Sequence, residues 1–148
     1  MVKILFVCHG NICRSPLAEF LMKDLVKKAG REKEFEIASA ATSTEELGSP
    51  VYPPVRRMLA ARGISCSGKY ARQMTRQDYD RWDHLICMDS RNLRYLSRII
   101  GSDPEGKVSL LLQHAGSDRD VADPYYSGDF QATWDDVLEG CQALLREL

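Results

Sequence analysis

The chain has no long apolar run. No stretch nears the roughly 20 residues a membrane span needs, and the leading MVKILFVC holds only Ile4 to Val7 as an uninterrupted apolar core. That is shorter than the roughly 7–15 residues of a secretory signal, and Val7 is not the small residue a lipid-anchored cysteine follows. Neither sign of charge is in excess: 20 basic residues face 21 acidic ones, for a net charge of −1. This leaves no electrostatic footprint for nucleic acid or an anionic membrane. Cysteine is too sparse and uneven for a disulfide framework. Its five copies stand at positions 8, 13, 66, 87 and 141. Scattered thiols of this kind fit a reducing, cytoplasmic setting.

Metal-ligand spacing is also missing. His9, His84 and His114 are far apart, and Asp118, Asp120 and Asp123 break the calcium-loop pattern because Ala122 holds the third required position. No linker, repeat or low-complexity tract divides the 148 residues. The expectation is one domain, 1–148, long enough to bury a sizeable core.

What is present alternates between two periodicities. Val2 and the run Ile4–Val7 read as a strand buried on both faces. FEIASA (35–40), DHLICMD (83–89) and KVSLLL (107–112) read as three more strands. Between them lie helical patterns: Leu17, Phe20, Leu21 and Leu25 up to Gly30, then a helix after Pro54 up to Gly63, then 89–100. A last helix runs over about 130–147, and residues 113–129 read as a polar loop. Such alternation predicts an α/β fold, a four-stranded parallel twisted sheet with helices on both faces. Ligands of such sheets bind beyond the carboxyl ends of the strands.

The first strand ends in VCHGNICRSP, Val7 to Pro16. Ser15-Pro16 reads as a helix N-cap followed by proline at the first helical position. Gly10 lets backbone approach a ligand, and successive amides around a tight loop form an anion nest. The helix start adds the positive end of its dipole. Arg14 adds a fork of donors matched to phosphate oxygens. The same donors would stabilise a thiolate at Cys8, on the floor of the cradle. A cysteine ending an apolar strand is ordinarily a small core residue. Here the spacing Cys-(five residues)-Arg-Ser closes one turn around one anion, which core packing does not require.

VCHGNICRSPLAE, taken together with DPYY at 123–126, closely resembles the low-molecular-weight protein tyrosine phosphatases. IASAATS (37–43), ARQ (71–73) and CMDSRNL (87–93) extend the resemblance along the chain. The resemblance implies phosphotyrosine hydrolysis by a two-step cysteinyl-phosphate mechanism with no cofactor and no metal. Cys8 would be the nucleophile, Arg14 the phosphate clamp and Asp123 the general acid and then base. His9, Gly10, Asn11, Ile12, Cys13 and Ser15 would form the phosphate loop, held in shape by Asn11 and Ser39. Ser15 would bond the sulfur. Cys13 would be the redox partner of Cys8. Tyr125 and Tyr126 would wall the substrate ring, and such tyrosines are themselves phosphorylated in some relatives.

Glu45 stands where relatives place an aromatic wall residue, and His9 where many carry an aliphatic one. Glu45 would therefore favour basic flanking residues or a different phosphoester. The implied partner is a phosphotyrosine protein or small phosphoester, with no nucleic acid and no membrane, and the chain would be a monomer or weak dimer. Two alternatives stand beside this. Arsenate reductases share the loop but need two further cysteines in a relay, and Cys87 has no neighbour nearer in sequence than Cys66 or Cys141. A non-catalytic phosphate-binding or redox-sensing relative would keep the loop without turnover.

Overall fold

The apolar run at the start of the chain becomes the interior of a sheet. In the computed structural model, which describes residues 1–148, Val2–Cys8 forms β1. It pairs in parallel with β2 (Phe35–Ala41) on one side and β3 (His84–Cys87) on the other, and β3 pairs in parallel with β4 (Val108–Leu110). The order is β2-β1-β3-β4.

Because strand side chains alternate faces, β1 feeds two separate cores. Ile4, Phe6 and Cys8 enter one with Leu17 and Met22 of α1 (Arg14–Lys28), Val55 and Leu59 of α2 (Pro53–Ala61), and Val137 and Leu144 of α6 (Phe130–Glu147). Leu5 and Val7 enter the other with Tyr79 of α3 (Asp78–Arg81), Trp82, and Leu96 and Ile100 of α4 (Ser90–Ile100). Helices therefore cover both faces, which is why β1 is apolar at consecutive positions rather than alternate ones. No helix is long and apolar enough to cross a membrane.

The structure departs from the sequence reading at three places. α1 begins at Arg14 with Cys13 at its N-cap, and no side chain caps it. Ser15 lies inside the first turn, where its hydroxyl turns toward Cys8 instead of the helix amides. β4 stops at Leu110, and Leu111 and Leu112 start a 3₁₀ turn, Leu111–Ala115, packed under α6. The polar segment 113–129 contains α5 (Pro124–Ser127), one turn with Asp123 at its N-cap.

β1 lies between β2 and β3, and the chain connections run to opposite sides of it, so its carboxyl end opens into a crevice at a switch point. The loop 9–13 fills it.

Candidate active site

The loop after β1 is pinned from outside by its carbonyls. Cys8 O accepts from Thr42 N at 2.9 Å, His9 O from Ser43 N at 3.1 Å and Ser43 Oγ at 2.8 Å, and Ile12 O from Tyr52 N at 2.9 Å. Cys13 O accepts from Leu17 N at 3.1 Å. None of the amides of residues 9–13 donates to any protein acceptor. With carbonyls engaged outward, these donors remain for an anion.

Asn11 makes this curvature possible. Its φ is +60°, in the left-handed region that asparagine tolerates better than most residues. Its side chain is buried and fully used. Nδ2 donates to Ser15 Oγ at 2.8 Å and to Ser39 Oγ at 2.9 Å, while Oδ1 accepts from Arg72 N at 3.3 Å. Ser39 Oγ donates to Glu19 Oε1 at 2.5 Å. Glu19, buried on α1, is held by Lys23 Nζ at 2.6 Å and faces Lys69 Nζ at 3.8 Å. Lys69 also donates to Ser39 O at 2.8 Å. A polar web thus underlies the loop and ends at Ser15 Oγ, 3.0 Å from Cys8 Sγ.

Arg14 is 2% exposed, so its charge needs partners. Nη1 donates to Asp89 Oδ2 at 2.6 Å and to Val121 O at 2.8 Å, and Nη2 reaches Asp123 Oδ2 at 3.4 Å. Burial opposes its charge, but Cys8, Asp89 and Asp123 together hold the guanidinium above its ordinary pKa. Asp123 Oδ1 accepts from Tyr125 N at 3.1 Å, which orients the carboxylate at the head of α5.

A cavity of about 180 Å³ gathers Cys8, His9, Gly10, Ile12, Cys13, Arg14, Glu45, Asp123, Tyr125 and Tyr126, and Glu46 completes its lining. Tyr125 and Tyr126 stand at its mouth, 53% and 77% exposed, with ring centroids 5.4 Å apart. Tyr52 braces Tyr125 from behind at 5.5 Å. His9 Nε2 and Glu45 Oε2 lie 2.9 Å apart across the rim. Asn11, Ser15 and Ser39 lie beneath the cavity rather than in it. A larger cavity, about 480 Å³, lies beside Arg56, Cys66 and Lys69, and it shares no lining residue with the cavity at Cys8.

All five cysteines are free and buried. Cys13 shares the cavity, and burial, then the nearby Cys8 and Asp123, push its thiol up to about 12. Cys87 and Cys141 lie in the two cores, where burial raises both thiols further. No three His, Cys, Asp or Glu side chains gather as a metal site.

Sequence reading assigns no role to Asp89, Glu19, Lys69, Arg72 or Tyr52, although Asp89 and Arg72 lie inside the quoted CMDSRNL and ARQ. Asp89 carried a signal: like the loop after β1, it follows the carboxyl end of a buried strand and opens a helix, as a capping box with Asn92. Glu19 carried one too, as a carboxylate among the apolar residues of α1, four positions after Ser15.

Similarity to known proteins runs along the whole chain. The profile of the low molecular weight phosphotyrosine protein phosphatases matches residues 3–148. The low molecular weight protein-tyrosine-phosphatase YfkJ of Bacillus subtilis is 38% identical over 150 residues, covering 100% of this chain and 96% of that protein. Its crystal structure superposes with a TM-score of 0.95 over 99% of this chain and 94% of that one. The low molecular weight protein tyrosine phosphatase of Streptococcus pyogenes, 36% identical, superposes with a TM-score of 0.89 over 100% and 93% of the two chains. The Gallus gallus low molecular weight phosphotyrosine protein phosphatase is 36% identical over 149 residues, covering 97% of this chain and 94% of that protein. On the profile match and these full-length likenesses, the chain belongs to the low molecular weight phosphotyrosine protein phosphatase family.

Proposed function

We propose that residues 1–148 form one phosphatase domain that hydrolyses phosphotyrosine monoesters in two steps through Cys8. The observation that carries this is the ring of unengaged amides, residues 9–13, around a cysteine sulfur backed by a buried arginine. Five backbone donors and a guanidinium suit the equatorial oxygens of a transferring phosphoryl group. The Cys8 thiolate attacks phosphorus in line, and the bond to the tyrosyl oxygen breaks. Asp123 in its acid form passes a proton to that oxygen. It then takes one from the water that attacks the cysteinyl-phosphate, which releases inorganic phosphate and restores the thiolate. The Ser15 hydroxyl at 3.0 Å eases departure of the sulfur.

In this reading Asp89 sets the orientation of Arg14, since it holds the opposite edge of the fork. Asn11 and Ser39 keep the loop closed. Tyr125 and Tyr126 flank the substrate ring. Cys13, a neutral thiol at neutral pH, leaves Cys8 without a rival, and it lines the same cavity, which supports a reversible disulfide between the two under peroxide. Arsenate reduction fits less well, because Cys87 and Cys141 are both fully buried in different cores and offer no relay toward Cys8.

The test is hydrolysis of para-nitrophenyl phosphate in the absence of added metal. The expected result is turnover by the reduced wild type and none by Cys8→Ser. A wild type without turnover, or a Cys8→Ser variant that keeps it, would overturn the reading.

A further inference from the structure

α4 turns two different faces to its surroundings. Asn92, Leu96 and Ile100 face inward. Arg91, Arg94, Tyr95 and Arg98 stand at i, i+3, i+4 and i+7, which is one stripe of a helix. The three arginines are exposed, and α4 contains no acidic residue to balance them. None of the three takes part in any ion pair of the molecule. The nearest acidic group along the chain, Asp89, is already committed to Arg14, and Asp120 accepts from the Ser90 amide and hydroxyl.

This stripe joins the active-site rim. Arg91 shares a small cavity of about 80 Å³ with His9, Asp123 and Tyr126. The His9 ring lies 6.3 Å from the Tyr95 ring, and the Arg98 guanidinium lies over Tyr95 at 5.1 Å. A continuous surface therefore leads from the loop at Cys8, over His9 and Tyr95, to Arg98. On the opposite side of His9 the rim carries Glu45 and Glu46. The mouth is thus polarised, acidic along residues 45–46 and basic along α4.

From these observations we propose that the Arg91–Arg94–Arg98 stripe is a docking surface for acidic residues flanking the phosphotyrosine of a protein substrate. The inference rests on the phosphatase reading above and adds a preference to it. The stripe spans about 10 Å at 1.5 Å per helical residue. An extended peptide rises about 3.3 Å per residue, so a run of three acidic residues covers it. The charges complement each other, and unpaired exposed arginines can form bidentate contacts without first breaking others.

The test takes phosphotyrosine peptides with three glutamates either before or after the phosphotyrosine, keeps the better of the two as the one that runs over α4, and compares it with its glutamine counterpart. The wild type should prefer the glutamate peptide by about tenfold in kcat/KM at low salt, through KM, and lose that preference near 1 M salt. Arg94→Glu/Arg98→Glu should abolish the preference while its turnover of para-nitrophenyl phosphate and of the glutamine peptide stays at the wild-type level. Equal kcat/KM for the two peptides in the wild type, or a preference that survives the double substitution, would overturn the docking surface while leaving the phosphatase reading intact. Failure of the wild type on every phosphoester would instead overturn that reading, and this one with it.

Discussion

Asp123 is set apart from the other aspartates by its position rather than its type. It caps a single helical turn through Tyr125 N, and its other oxygen faces Arg14 at 3.4 Å. Pro124 fixes the backbone on which it stands, so the carboxyl group is held over the cavity instead of swinging free. A positioned acid typically contributes about 10²–10⁴-fold, and most where the leaving group is a poor one. Asp123→Ala should therefore lower kcat for phenyl phosphate by about 10²-fold or more, and far less for para-nitrophenyl phosphate, whose leaving group needs little help. Steady-state rates on the two esters check this, and equal losses would remove Asp123 from the acid role. The same residue-level logic applies at Asn11, where a left-handed φ and a three-way hydrogen-bond set leave little room for substitution.

At the scale of elements, the close packing of α6 against the 3₁₀ turn after β4 depends on Gly140. A Cβ there would collide with the Leu111 side chain, both buried in the core. Gly140→Ala gains helix propensity but must displace a packed leucine. Overpacking of this kind costs about 1–3 kcal/mol, and a loss that size should appear as a Tm several degrees lower in a thermal melt. An unchanged or higher Tm would show that Leu111 moves aside freely. This contact also shows what the sequence could and could not disclose. Leu111 and Leu112 continue the apolar run of β4, so periodicity extends the strand through them. Only the packed helix above reveals that they turn inward as a 3₁₀ segment. β1 and the loop after it were legible, because a both-faces-buried strand, a glycine, an arginine and a proline stand within 16 residues of one another. Asp89 and Glu19 carry local signals, a capping box and a carboxylate among the apolar residues of α1, but these name no partner, because Arg14 and Ser39 lie 75 and 20 residues away. Spacing along a chain carries no trace of such contacts. Ser15 was misread as a cap for the opposite reason: its local pattern fits a cap, and a tertiary partner, Cys8, outcompeted it.

The whole molecule's response to acid follows from two titrating groups, the buried Asp78 at the head of α3 and the half-buried His84 at the start of β3. Burial opposes the charge of Asp78, but more than offsetting this are the paired bonds from Arg72 at 3.1 and 3.2 Å, Thr75 N at 2.7 Å and Trp82 Nε1 at 3.1 Å. Its carboxyl therefore titrates below the ordinary value of 3.8. His84 on β3 is also shifted down from 6.5, first by burial and then by the neighbouring His114. In both cases the unfolded chain holds protons that the folded chain does not, so stability falls as pH falls. For His84 the loss begins as pH drops through about 6.5 and ends below its depressed folded value. For Asp78 it begins near 3.8 and continues through the folded value. Urea midpoints measured from pH 8 to pH 3 should thus decline in two stages. His84→Gln should flatten the upper stage, and Asp78→Asn should flatten the lower one while lowering the midpoint at pH 7, where the wild-type carboxylate is fully bonded. The Asp78 variant carries a further consequence for the site. Arg72 N bonds Asn11 Oδ1 and Arg72 O accepts from Ala41 N, so loosening the Arg72–Asp78 strap should also lower para-nitrophenyl phosphate turnover. A midpoint independent of pH over this range would show that neither group is linked to folding, and an Asp78→Asn variant as stable and as active as wild type at pH 7 would show that the strap holds neither the fold nor the loop.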